Sequence, residues 1–216
     1  MEKLVQFEQL ASENLTIAES DKKLAKTLKI LAKSELEKSK AMTQLVKKEL
    51  QLTKIREEVA VNMKDLVEEK MKLKEGGILK FSDEELRKEI KLSINTGKIA
   101  IIQKFLAEDQ QVIADLEGKI ADSREKYARD SLNFAKKRVD LSKKIIQYVN
   151  AVKDNLPDKQ ITKAKKGCEM LQQELIKDKK KSLIIEEEIK NLEKELADSE
   201  KELSLKFSEL EAIRNT

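Results

Sequence analysis

The sequence has no histidine and no tryptophan, and aromatic residues make up only 3% of it. Without histidine, the side chain that most often moves protons near neutral pH is missing. With so few aromatics, the large side chains that fill globular cores are scarce. Five glycines and one proline leave few places where the chain can turn sharply. Cys168 is the sole cysteine, which excludes an internal disulfide and leaves no thiolate set for a metal cage. No apolar run approaches the roughly 20 residues that span a bilayer. The opening residues MEKLVQFEQL carry charge where a signal peptide has its apolar core. Glycine-rich phosphate loops are missing too, since Gly76-Gly77 lacks their spacing and their lysine. These absences predict a chain with no enzymatic activity, cofactor or metal, soluble and intracellular, in the cytoplasm or nucleus.

What is present is charge and a seven-residue period. Charged residues make up 40% of the chain, with 45 basic and 41 acidic side chains. Ten positions at intervals of seven run down the first third: Leu10, Ile17, Leu24, Leu31, Lys38, Leu45, Leu52, Val59, Leu66 and Leu73. Disordered chains of similar charge lack such ordered apolar spacing. A heptad held this long predicts helices that bury a narrow seam against one another. Ala18, Ala25 and Ala32 lie beside this line and are expected to thicken the stripe with small side chains.

The breaks divide the chain into three helical segments. A first helix is predicted over about 10–74, ending at Gly76-Gly77, where either glycine suits a C-cap. Ser82 three residues before Glu85 forms a capping-box pattern, with Phe81 placed to staple onto Leu86. A second helix is predicted over about 83–152, carrying Ile113, Ile120, Tyr127, Phe134, Leu141 and Tyr148 at sevens. Pro157 marks the next turn, with Asp158 positioned to cap a third helix. That helix, about 159–214, has the cleanest heptads. One set is Ile161, Cys168, Leu175, Ser182, Ile189, Leu196, Leu203 and Leu210; the other is Ala164, Leu171, Asp178, Ile185, Leu192, Ser199, Lys206 and Ile213. Its apolar members are the predicted association seam, and Asp178, Ser182, Ser199 and Lys206 are expected to fix register, as isolated polar core residues can.

The three segments are nearly equal, each on the order of 85–100 Å long at about 1.5 Å per residue. Equal lengths fit an all-α fold: a single elongated coiled-coil unit of three long antiparallel helices, folded back at Gly76-Gly77 and near Pro157.

Charge is unevenly spread. Residues 136–181 hold 14 basic and 6 acidic side chains, while 182–216 hold 5 basic and 10 acidic. Lys153, Lys159, Lys163, Lys165 and Lys166 surround the second turn, with Lys177, Lys179, Lys180 and Lys181 further along. This is the candidate patch for an anionic partner, set against the plainer role of keeping a long helix soluble. Cys168 at a heptad position is read as packing, since a thiol behaves there as a small apolar group. Glu186-Glu187-Glu188 point around a helix and do not converge on a cation.

The pattern as a whole predicts a scaffold or adaptor subunit of a larger assembly, of cytoskeletal, centrosomal, kinetochore or chromosome-axis type. Protein partners are expected through the helical seams, as homo- or hetero-oligomers. The segment lengths and the basic turn also resemble the architecture of the BAR superfamily. That resemblance implies an antiparallel dimer presenting positive charge to an anionic membrane surface. A nucleic-acid-associated coiled coil is the third expectation, carried by Lys153–Lys181 and weakened steeply by salt.

Overall fold

A computed structural model describes residues 2–78 and 82–214, with side chains described over 5–78 and 82–208. The fold is all-α: α1 spans Glu2–Glu75, α2 Asp83–Lys153 and α3 Asp158–Arg214. The expected staple from Phe81 lies outside the described residues, as do the side chains of Leu210 and Ile213.

The helix ends show why the chain breaks where it does. Gly77 adopts a left-handed φ of 70°. Its N–H donates to the Lys74 carbonyl at 2.9 Å, and the Ile78 N–H donates to Leu73 at 3.0 Å. This pair of backward bonds ties off the last carbonyls of α1. α2 ends the same way, with Asn155 in the left-handed region at φ 51° and the Leu156 N–H donating to Ala151 at 3.0 Å. The capping box at the start of α2 is formed: the Ser82 N–H donates to Glu85 at 3.1 Å and the Glu85 N–H to the Ser82 hydroxyl at 3.2 Å. α3 departs slightly from expectation. The Pro157 carbonyl accepts from Gln160 at 2.7 Å and Ile161 at 3.3 Å, so the helix opens on the proline. Asp158 is the first residue of its first turn, where a carboxylate still favours the helix dipole.

Contacts divide the chain into two units, Met1–Lys38 with Lys119–Glu193, and Ser39–Gly118 with Lys194–Thr216. In the first unit α1 and α2 run in opposite directions, with Glu8 paired to Lys153, Asp21 to Arg138 and Glu35 to Arg124. α3 runs opposite to α2, with Asp178 on Lys137 at 2.8 Å and Glu193 on Arg124 at 2.9 Å. In the second unit Glu57 meets Lys104 at 2.9 Å, Lys70 meets Glu89 at 2.8 Å and Lys206 meets Asp109 at 2.9 Å.

The α1 seam is not the leucine line. Buried on α1 are Ala11, Ala18, Ala25 and Ala32 in the first unit, and Ser39, Val46, Thr53, Ala60 and Val67 in the second. Each of these follows one residue after a member of the leucine line. Ala25 is 5% exposed and its neighbour Leu24 is 63% exposed. α2 supplies a matching set at sevens. Ala121, Ala128, Ala135, Ser142 and Val149 are buried in the first unit, and Ser93, Ala100, Ala107 and Ala114 in the second. The ion pairs set these two small-residue lines level, Ala25 packing in one cluster with Ala135 and Leu132. The physical reason is shape. Side chains at the contact set how closely two helices approach, and small ones on both sides let the backbones close in. The approach is close enough that the Thr43 hydroxyl lies 3.3 Å from the Ala114 carbonyl of α2.

Candidate functional site

With the small residues turned inward, the leucine line is left at the surface. Leu10, Ile17, Leu24 and Leu31 in the first unit, and Leu45, Leu52, Val59 and Leu66 in the second, are 48–63% exposed. Scattered exposed leucines are ordinary, but here they form a periodic apolar line on one helix face.

Each unit also has a cleft walled by α1 and α3 and floored by α2. In the first unit it encloses about 540 Å³, with Leu24 and Leu28 on one wall, Leu183 on the other, and Tyr127 and Phe134 beneath. Four of its polar groups engage one another: Asp21 with Arg138, and Glu186 with the Tyr127 hydroxyl at 2.6 Å. That bond and burial push the Tyr127 phenol above its ordinary value. In the second unit the cleft encloses about 480 Å³ around Met42, Val46, Ile113, Leu203 and Phe207, and Glu49, Glu117 and Glu200 lie on its rim. None of these three carboxylates has an ion pair among the described residues.

The α3 seam residues face inward. Leu175 and Ile185 are buried, while Ile161, Cys168, Leu171, Ile189 and Leu192 are half-buried in the first unit and Leu196 and Leu203 in the second. The two charged interruptions have partners on α2. Asp178 meets Lys137, which also takes Glu174 at 3.1 Å, and Lys206 meets Asp109. Of the glutamate run, Glu188 accepts from Ser123 at 3.2 Å and Glu186 from Tyr127, so two of its members serve the packing of α3 on α2.

The structure separates the nine candidate lysines. Lys153 pairs with Glu8 and Lys165 lies 3.9 Å from Glu169. Lys179 sits on the wall of the first-unit cleft, Lys181 lies by Asp130 and Asp178, and Lys177 and Lys180 are exposed. Lys159, Lys163 and Lys166 share one cleft with Lys144 of α2. The sequence alone does not point to Lys144, because the side of α2 that meets α3 is known only once the helices are packed.

Cys168 is half-buried. Burial raises its thiol above the usual value, with Lys144 pulling weakly the other way. A raised thiol holds little thiolate at neutral pH. Iodoacetamide is therefore expected to modify Cys168 several-fold more slowly in the folded protein than in urea, a difference that mass spectrometry resolves.

Among the described residues no helix is long and apolar enough to cross a membrane, and no cluster of acidic, histidine or cysteine side chains is arranged to hold a metal. No protein-family profile matches the chain, and neither a curated protein nor a solved structure shows detectable similarity to it.

Proposed function

We propose that this chain is a non-enzymatic helical scaffold or adaptor, a subunit of a larger intracellular assembly that it joins through helix-on-helix contact. The observation that carries this reading is the uncovered leucine line of α1. One half-exposed leucine contributes about 1 kcal/mol when covered, too little to offset an association cost of about 4–15 kcal/mol. A whole line of them can.

The second-unit cleft narrows the chemistry of the occupant. Its apolar floor and rim of Glu49, Glu117 and Glu200 suit an amphipathic helix whose stripe is bordered by lysine or arginine. Residues 22–33 have that pattern, with Leu24, Leu28 and Leu31 set among Lys22, Lys23, Lys26, Lys29 and Lys33. A second copy of the chain can therefore supply the helix.

Sedimentation across a tenfold concentration range tests this. The wild-type chain is expected to self-associate, more tightly at low salt. Replacing Leu24, Leu31, Leu45 and Leu52 with glutamine is expected to weaken association by at least about tenfold while leaving helicity intact. Replacing Glu49, Glu117 and Glu200 with glutamine is expected to remove the salt dependence. A wild-type chain that stays monomeric throughout, or associates equally well without the four leucines, overturns the proposal.

A further inference from the structure

The geometry points to a second, independent binding site: the basic cleft between α2 and α3 in the first unit takes a ligand bearing several phosphate groups. The cleft encloses about 1150 Å³, and Lys144, Lys159, Lys163 and Lys166 line it. Asp158 is the only acidic residue on its walls.

Three features support this assignment. First, none of the four has an ion pair among the described residues. The lysines that bridge helices elsewhere in the same unit do have one: Lys137 holds Asp178 and Glu174, and Lys153 holds Glu8. Second, Lys159, Lys163 and Lys166 follow one another at four and three residues on one face of α3. Like charges at that spacing repel, and a run of them destabilises a helix. An anion in the cleft relieves that repulsion. Third, α2 contributes Lys144, which reaches α3 at Gly167. A Cβ at Gly167 would lie 3.6 Å from the Lys144 ammonium and 3.7 Å from its Cδ. The stem of Lys144 thus rests against α3 where that helix has no side chain.

The chemistry selects multiple phosphates. Four lysines lining one cleft with a single carboxylate leave a strong positive excess, which a single carboxylate or chloride cannot neutralise. The volume exceeds what one phosphate fills. No aromatic residue lines the cleft, so bases would find nothing to stack on, and this weighs against a nucleic acid. Such a ligand arrives either free in solution or as the headgroup of a phosphorylated lipid.

Calorimetry with sodium tripolyphosphate tests the free source. Co-sedimentation with phosphatidylcholine vesicles containing phosphatidylinositol bisphosphate tests the lipid source, with phosphatidylserine vesicles of equal charge as reference. Binding is expected in at least one arm and should weaken steeply as salt rises. The variant K144Q/K163Q should lose about tenfold or more in affinity. K177Q/K180Q removes the same charge outside the cleft and should stay within about twofold. Both pairs are exposed enough to leave the helices intact, which circular dichroism checks. Vesicle binding that tripolyphosphate displaces assigns the lipid source, and tripolyphosphate binding alone assigns the free one. The proposal is overturned by failure of both arms, or by equal losses in the two variants, which would reduce the effect to net charge. A single-stranded oligonucleotide that binds more tightly than tripolyphosphate and needs the same lysines also overturns it.

Discussion

Replacing Ala25 and Ala135 together with leucine is expected to lower the unfolding midpoint sharply, while replacing the adjacent Leu24 with glutamine leaves it nearly unchanged. Ala25 and Ala135 meet in one buried cluster between α1 and α2. Their methyl groups set the separation of the two backbones, and although both residues border the first-unit cleft, larger side chains between the helices would force the backbones apart. Overpacking of this kind costs about 1–3 kcal/mol per site, or about 4 kcal/mol for the pair. At about 2–4 °C per kcal/mol for a chain of this size, the melting temperature should fall by about 10 °C. Leu24 is 63% exposed, and its loss should stay within about 0.5 kcal/mol. Thermal unfolding followed by circular dichroism, at concentrations low enough to keep the chain monomeric, distinguishes the two. A costly Leu24→Gln and a harmless Ala25→Leu/Ala135→Leu would mean that the leucine line is the true seam.

The second large effect runs in the opposite direction. Replacing both ion pairs, Asp178 with Lys137 and Lys206 with Asp109, by leucine is expected to stabilise the fold by about 1–2 kcal/mol, because apolar groups at seam positions often outperform partly desolvated charge pairs. The gain comes with loss of a single register. In the native arrangement Asp178 faces Lys137 and Lys206 faces Asp109. The two pairs lie the same number of residues apart on both helices, so they agree on one alignment. A slip of one heptad in one direction would set Asp178 level with Asp130 and Lys206 level with Ile102. A slip in the other would place Lys206 level with Leu116. Without the two ion pairs, the repeating apolar positions of α3 accept all three alignments. Cys168 can report the outcome: a short bismaleimide should join it to a cysteine introduced at Gln147 in both proteins. Joining to a cysteine at Asp140, one heptad away, is expected only in the leucine variant. A variant that is stabilised but cross-links solely at position 147 would show that other contacts hold the register.

The two helix ends and the third helix were readable from the sequence because their causes are local. Gly77 takes a backbone angle that glycine favours, Ser82 and Glu85 cap each other within one turn, and Pro157 cannot continue a helix. α3 has one apolar stripe that runs its length, while Ile176, Leu183, Ile184 and Leu205 are left exposed beside it, so the choice of face was plain. α1 offers two adjacent stripes, and hydrophobicity alone ranks leucine above alanine. The contest is decided by the other helix. Only the run from Ser93 to Val149, small at every seventh position, shows that α2 is built to meet alanine. The lysine cleft was half readable for a related reason. Lys159, Lys163 and Lys166 share a face by spacing alone, but Lys144 joins them only through the register of α2 against α3. Asp178 and Lys206 are expected from α3 alone to bear on register, but their partners Lys137 and Asp109 are visible only once α2 stands opposite.

The matched small-residue lines of α1 and α2 restrict how this hairpin can vary. In the second unit Val67 is level with Ser93 and Val46 with Ala114, on either side of the turn at Gly76-Gly77. Seven residues lost from one helix alone would still set small against small but would part the ion pairs such as Asp21 with Arg138 and Glu57 with Lys104, whereas seven lost from both would preserve every pairing. Changes in length should therefore be inherited in coupled steps, each removing or adding about 10 Å of hairpin. Related chains, if they differ in reach, should differ by whole multiples of that unit.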